Sequence, residues 1–158
     1  MILSLLQDTA TAVAFVLALI VGITIHEFSH ALAGYLQGDM TARDEGRLTL
    51  NPLAHLDPMG TFMLLFAGFG WGKPTPYNPY NLKSPKWGPL LVALAGPISN
   101  LIGAVASFIA LYFLNDILPP ENLLLIFLAT LFFVNLMLML FNLLPIPPLD
   151  GSQILFTL

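Results

Sequence analysis

The sequence predicts an all-α polytopic membrane protein. Apolar residues make up 57% of the 158 residues and charged residues only 9%, with a mean hydropathy of +0.83. A soluble domain has roughly a quarter of its residues charged, so this composition excludes an ordinary soluble protein. Three long segments, about 9–37, 88–115 and 121–144, can each cross a bilayer, which takes about 20 apolar residues. We predict one membrane-embedded domain over residues 1–158.

The first predicted span contains the sequence GITIHEFSHALAG (22–34), with three titratable residues in a setting otherwise fit for lipid. On a helix, residues four apart project from nearly the same face, so His26 and His30 can reach one metal ion. Glu27 is then placed to contact a water on that ion. This H-E-x-x-H arrangement is typical of zinc hydrolases, in which the glutamate is the general base.

The alternative is that these three residues pair with other polar groups inside a helix bundle. Each ionisable group costs roughly 2.5–3.5 kcal/mol at the centre of a membrane helix. Two of the three histidines of the chain lie in this motif. We therefore favour a metal site over polar pairing.

Three segments outside the long spans have different patterns. Residues 45–58 alternate polar and apolar side chains between a glycine and a proline, which predicts a small β element in the loop region. Residues 59–72 are apolar but too short for a full span, which indicates a re-entrant or interfacial segment. Residues 72–85 hold four prolines and cannot form a regular helix.

The later spans carry helix breakers. Pro97 lies inside the second span and predicts a kink. The third span ends at NLLPIPPLDG (142–151), where three prolines end the helix. A further apolar helix starts at 150 and stops after one or two turns, so we expect a truncated C-terminus.

The charges predict the orientation. The loop region between the first and second long spans holds all five basic residues: Arg43, Arg47, Lys73, Lys83 and Lys86. By the positive-inside rule this region is cytoplasmic, so we expect a multi-pass plasma-membrane protein with its N-terminus outside and HEFSH on the cytoplasmic side. Asp8, Asp116 and Glu121 lie toward the other face. The chain has no basic patch for nucleic acid and no cysteine for a disulfide or a thiolate zinc site.

A catalytic zinc takes three protein ligands and keeps one position open. From the residues alone, the third ligand could be any of Asp150, His55, Asp57, Asp44, Glu45 and Asp39. Asp39 and residues 43–47 have the composition of a solvated loop. Asp150 follows a proline-broken span and precedes Gly151, so it can turn inward or cap the helix that follows. His55 is open as a fourth ligand, a substrate-side donor or a plain loop histidine.

Four motifs, HEFSH, GRLTLNPLAHLDPMGT, AGPISN and FNLLPIPPLDG, occur in an order that resembles the site-2 protease family of intramembrane zinc metalloproteases. The resemblance covers about residues 20–155 and is to compact prokaryotic members without a PDZ or CBS domain in this stretch. It implies one zinc ion per chain held by His26, His30 and Asp150, with Glu27 as catalytic base. It also implies a substrate-handling role for Asn100 and Asn142.

Two further polar residues, His55 and Asn135, are considered for the site. We add His55 as a third substrate-binding candidate. Asn135 is marked by no motif, and for this residue we predict an ordinary hydrogen bond between helices.

The resemblance implies cleavage of transmembrane segments in membrane-tethered proteins. The expected partners are a transmembrane protein substrate and the lipid bilayer, with no nucleic acid; a homo-oligomer is left open. One alternative is a membrane metal-ion transporter, which would have polar groups strung through the membrane. The other is a catalytically inactive site-2-protease-like scaffold.

Overall fold

The computed structural model describes residues 9–67 and 70–157. Within these residues the chain forms six α-helices: α1 (Thr9–Leu36), α2 (Thr41–Asp44), α3 (Pro58–Ala67), α4 (Trp87–Leu114), α5 (Leu123–Asn142) and α6 (Asp150–Thr157). Two short 3-10 turns, Pro52–Ala54 and Pro79–Asn81, lie in the long connection between α1 and α4. Asp8 and residues 68–69 lie outside the described residues.

The three long helices confirm the predicted spans to within two residues at each end. α1 and α4 have 28 residues each and α5 has 20, and all three are long and apolar enough to cross a membrane. At 1.5 Å per residue, even 20 residues cover the roughly 30 Å of a bilayer core. α3 has 10 residues and reaches only about 15 Å, so it cannot span. A re-entrant or interfacial position for this segment stays a prediction.

The long helices pack on one another through small residues and leave large apolar side chains outside. α1, α4 and α5 contact each other in pairs, and α6 packs on α4. The buried glycine, alanine and serine residues of α1 and α4 are Ala14, Ala18, Gly22, Ala31, Gly34, Gly88, Ala93, Gly96, Ala104 and Ser107. Many large side chains on these helices, among them Leu17, Ile102, Phe108 and Phe133, are about half exposed or more. Such an apolar exterior with small residues between the helices is typical of a membrane bundle.

Helix α4 continues through Pro97 without a break. The proline lacks an N–H for the helical ladder, and it is fully buried within the bundle. A kink at this position stays a prediction.

The prediction of a small β element at residues 45–58 is wrong. The described residues contain no strand, and the antiparallel bridge between Leu56 and Gly72 is isolated. Polar backbone groups of this segment form hydrogen bonds with nearby residues instead of with a partner strand. The N–H of Arg47 donates to the carbonyl oxygen of Ala42 at 2.7 Å, and the side chain of Asn51 caps the turn that starts at Pro52. Alternating side chains over so few residues do not by themselves provide a partner strand.

Asp39 is buried, contrary to the solvated loop predicted here. Gly38 has a φ of +101° and turns the chain at the end of α1. Asp39 is then 1% exposed, and its carboxylate accepts hydrogen bonds from Thr41, Asn81 and the N–H of Asn78 at 2.6 to 3.2 Å. Burial raises the pKa of Asp39, but these hydrogen bonds outweigh it and hold the pKa below its usual range. Asp39 therefore fastens the proline-rich connection to α1.

We expect Asp39→Asn to lower the free energy of unfolding by about 2 kcal/mol at pH 7, because it removes hydrogen bonds to a charged acceptor. The carboxylate is stabilised in the folded state, so its contribution is complete above the unfolded pKa of about 3.9 and is lost as the pH falls through the lower folded pKa. Denaturant unfolding of the protein in detergent micelles, followed from pH 7 down to about pH 3, measures this difference.

The matched control is Asp44→Asn. Asp44 is exposed and pairs only with the exposed Arg43, so we expect a change within about 0.5 kcal/mol. A constant gap between wild type and Asp39→Asn across the pH range would contradict the role of the carboxylate charge.

Candidate metal centre

Three side chains from two helices converge at one point in the bundle. His26 and His30 lie on the buried face of α1, and Asp150 is the first residue of α6. The Nε2 atoms of the two histidines are 3.0 Å apart, and they lie 3.1 and 3.3 Å from Oδ2 of Asp150. A tetrahedral zinc with ligands at about 2.0–2.1 Å places its ligand atoms roughly 3.3 Å apart. The three atoms therefore form a triangle of the size that zinc requires.

The hydrogen bonds of the imidazoles fix which ring nitrogens are free. Nδ1 of His30 lies 2.7 Å from the carbonyl oxygen of Val92, and Nδ1 of His26 lies 2.6 Å from Oδ1 of Asn100. Carbonyl oxygens only accept, so each Nδ1 carries the proton and donates, and each Nε2 presents a lone pair. Oδ2 of Asp150 is buried and receives no hydrogen bond. Three buried lone pairs that face one another repel unless a cation lies between them, so the residues fit a metal ion.

Asn100 holds His26 in place. Its side chain is fully buried, and its Nδ2 donates to the carbonyl oxygen of Gly22 at 3.2 Å and to Oδ1 of Asn135 at 2.9 Å. These two acceptors orient the amide with Oδ1 toward His26. The interhelical hydrogen bond predicted for Asn135 is confirmed. The geometry makes Asn100 a positioning residue, and its contact with a substrate stays a prediction.

Gly96 is a residue of the site that the sequence reading missed. A Cβ added to Gly96 would lie 2.5 Å from Nε2 of His30 and 2.7 Å from Nε2 of His26. Any side chain here would therefore occupy the space next to the converging nitrogens. The signal was in the sequence, since Gly96 is the glycine of the AGPISN motif, four residues before Asn100.

Gly151 allows Asp150 to reach the histidines. A Cβ on Gly151 would clash with the backbone carbonyl oxygens of Leu143 and Leu144 at the end of α5. The chain can therefore fold back tightly on α5 only with glycine here. This fold places α6 against α4 and turns the carboxylate of Asp150 inward. The inward turn predicted for Asp150 is what the structure has, since its Oδ2 lies 3.1 and 3.3 Å from the Nε2 atoms of the two histidines.

Glu27 faces a different element from the histidines. Its Oε2 accepts hydrogen bonds from the N–H of Thr75 at 2.9 Å and from Oγ1 of Thr75 at 2.7 Å. Thr75 belongs to residues 73–78, which we call the strap. The hydroxyl of Tyr77 in the strap donates to Gln153 of α6 at 2.9 Å. Burial and the nearby carboxylate of Asp150 raise the pKa of Tyr77. The strap thus contacts both the candidate base and the helix that starts with Asp150.

The other candidate residues lie outside the cluster. Among the described residues the group of potential ligands contains His26, His30 and Asp150. His55 is fully buried and its Nε2 donates to the carbonyl oxygen of Thr49. Asp57 accepts from the N–H of Gly60 in the first turn of α3. The remaining acidic candidates, Asp39, Asp44 and Glu45, belong to the region at the end of α1.

Asn142 hydrogen-bonds within its own helix. Its Nδ2 donates to the carbonyl oxygen of Leu138, one turn earlier in α5, at 3.0 Å. This hydrogen bond uses the Nδ2 side of the amide, and a substrate contact for Asn142, as for His55, stays a prediction.

Known proteins similar to this chain come from bacteria. A protein of Bacillus subtilis named "Putative zinc metalloprotease YwhC" is 47% identical over 145 residues, which cover 89% of this chain and 66% of that protein. The family model described as Peptidase family M50 matches residues 119–158, which contain α5 and Asp150. The chain belongs to peptidase family M50, the site-2 proteases.

Two further relatives are named "Putative zinc metalloprotease Rip2". The protein of Mycobacterium tuberculosis is 35% identical over 154 residues, covering 92% of this chain and 58% of that protein. The protein of Mycolicibacterium smegmatis is 34% identical over 142 residues, covering 84% and 52%. The chain thus spans between about half and two thirds of the length of these relatives. No solved structure matches it significantly.

We expect Gly96→Ala to weaken zinc binding by about tenfold or more, the size of effect seen when residues that support metal ligands are changed. The added methyl group would overlap both imidazoles and push their Nε2 atoms apart. Zinc content of the purified protein, titrated against a competing chelator, measures the change.

Gly34→Ala is the control for a glycine substitution in a buried helix face. A Cβ on Gly34 would meet only Oδ2 of Asp39, at an ordinary 3.9 Å, so zinc binding should match the wild type. Equal zinc affinity in Gly96→Ala and Gly34→Ala would contradict the assigned role of Gly96.

Proposed function

We propose that this chain is an intramembrane zinc metalloendopeptidase that cleaves transmembrane segments of membrane-tethered proteins. The observation that carries the proposal is the convergence of Nε2 of His26, Nε2 of His30 and Oδ2 of Asp150 within 3.3 Å of one another, beside a glutamate. Membership of the M50 family and the names of the relatives support it. The ion would be one zinc per chain.

In this proposal three residues bind the metal and a fourth, Glu27, transfers protons. His26, His30 and Asp150 would hold the zinc, which when bound supplies the Lewis acidity that activates water and polarises a carbonyl. Glu27 takes a proton from the attacking water on its free oxygen, Oε1. The water oxygen forms a bond to the carbonyl carbon, the C–N bond breaks, and Glu27 passes the proton to the leaving amine nitrogen.

A helical substrate would have to unwind before it is cut. In a helix each carbonyl oxygen accepts a hydrogen bond from the N–H four residues later, so the scissile carbonyl is shielded. We expect substrates to be single-span segments with residues that weaken the helix near the cleavage site. We therefore expect the protein to select substrates by how easily their helix unwinds near the cleavage site.

The site lies near the end of α1 that leads into the basic connection. His30 is six residues before the end of α1 at Leu36, which corresponds to about 9 Å along the helix axis. The five basic residues follow that end and precede or open α4. By the positive-inside rule, we propose that the site faces the cytoplasm of a plasma-membrane protein whose N-terminus is outside.

The distribution of ionisable residues separates a protease from a metal transporter. An ion path requires titratable groups at several depths of the membrane. Across α1, α4 and α5 the Asp, Glu, His, Lys and Arg residues are His26, Glu27 and His30, all within one and a half turns of α1. The complete set of ligands and base argues likewise for catalysis over an inactive scaffold.

We expect Glu27→Gln to lower the rate of cleavage by about 10²–10⁴-fold, the contribution typical of a general base, while zinc stays bound. Asp150→Ala should lose both zinc and cleavage, because it removes one of three ligands. The assay is cleavage of a model transmembrane peptide by the zinc-loaded protein in liposomes, together with the zinc content of each variant.

Asp116→Asn, a change in the exposed turn after α4, serves as the control and should behave as the wild type. Full zinc content in Asp150→Ala would show that this residue is no ligand. Zinc uptake into the liposomes by both wild type and Glu27→Gln, without cleavage by either, would favour the transporter.

A further inference from the structure

The strap contacts α1 at Glu27 and donates hydrogen bonds to one oxygen of its carboxylate, Oε2. Thr75 donates to Oε2 through both its N–H, at 2.9 Å, and its hydroxyl, at 2.7 Å. The hydroxyl oxygen also lies 3.1 Å from the backbone carbonyl oxygen of Glu27. A hydroxyl has a single proton, so the shorter contact to the carboxylate is the main one. No group among the described residues donates to Oε1 of Glu27.

This arrangement separates the two oxygens of the carboxylate by role. Oε2 has two donors, so it is occupied, whereas Oε1 keeps its lone pairs for a proton. Oε1 lies beside Gly72, where even an added Cβ would be 3.9 Å away. A free glutamate side chain samples several rotamers, and fixing it in one costs up to about 2 kcal/mol. The two hydrogen bonds from Thr75 offset this entropic cost before a substrate binds.

Thr75 is itself held rigidly. It lies between Pro74 and Pro76, and a residue before proline is restricted to extended backbone. The N–H of Lys73 donates to the carbonyl oxygen of His55 at 2.8 Å. The buried guanidinium of Arg47 donates through Nη2 to the carbonyl oxygens of Lys73 and Pro74. The backbone that leads into Thr75 is therefore held at Lys73 and Pro74.

We propose that Thr75 is a positioning residue for the general base, and that it orients Glu27 so that Oε1 alone accepts the proton of the attacking water. This rests on the proposed peptidase function. Arg47 and the backbone of His55 support the strap next to Thr75, which gives these two buried residues a part in positioning the base.

The test compares Thr75→Val, Thr75→Ser and Thr130→Val in the zinc-loaded protein, with a model transmembrane peptide in liposomes. Valine has the shape of threonine without the hydroxyl, so we expect kcat to fall about tenfold with KM and zinc content unchanged. Serine keeps the hydroxyl and should retain activity within about twofold. Thr130 bonds only to its own helix α5, so Thr130→Val should match the wild type.

A second measurement reads the contact without activity. The amide N–H of Thr75 is protected by the carboxylate of Glu27, so hydrogen exchange in peptides covering residues 73–78 should be faster in Glu27→Ala than in the wild type. Exchange in α5 should be unchanged. Unchanged exchange in the strap would overturn the contact, whatever the kinetics.

The kinetic outcomes separate the two proposals. If the wild type cleaves the peptide and Thr75→Val keeps its kcat, or if Thr75→Ser falls as far as Thr75→Val, Thr75 does not position the base and the peptidase proposal stands. If the zinc-loaded wild type cleaves no transmembrane peptide, the peptidase proposal fails and the catalytic role of Thr75 fails with it.

Discussion

The constraint on which the structure depends is electrostatic. Three lone-pair-bearing atoms, on His26, His30 and Asp150, are held 3.0 to 3.3 Å apart in the interior of an apolar bundle. Without a cation this arrangement is unfavourable, because both Nδ1 atoms donate elsewhere and each neutral imidazole then turns the lone pair of its Nε2 toward the other two atoms. The surrounding elements must therefore force the three atoms together. Helix α4 and the turn before α6 provide many of the contacts that hold these atoms in place.

One face of helix α4 holds the two histidines of α1. Val92, Gly96 and Asn100 are spaced four residues apart and so lie on one face of α4. His30 bonds to Val92 and His26 bonds to Asn100, so two histidines one turn apart on α1 are held by partners about two turns apart on α4. Gly96 lies between the two partners and leaves the volume that a metal would need. The motif on α1 is thus only half of the structural unit, and α4 supplies the other half.

The sequence predicted the features that depend on composition or on a single residue spacing. Length and apolarity predicted the three spans, and the H-E-x-x-H spacing placed two imidazoles on one face. Asp150 needed the family resemblance to single it out from the other acidic candidates, because a carboxylate before glycine can also cap the helix that follows. The burial of Asp39 could not be predicted, since its partners are 39 and 42 residues away in sequence. The alternation in residues 45–58 predicted a strand, yet a strand needs a partner that the sequence pattern does not specify.

The proline-rich connection shows why a membrane enzyme would keep irregular backbone close to its centre. Unpaired backbone groups are costly near lipid, and here buried polar side chains satisfy several of them: Asp39 bonds the N–H of Asn78, and Arg47 bonds two carbonyl oxygens of the strap. That support lets the strap present Thr75 to Glu27 and Tyr77 to Gln153. The base on α1 and the helix beginning at Asp150 are thereby linked through one short segment. A helix could not do this, because side chains two residues apart on a helix do not share a face, whereas on extended backbone they do.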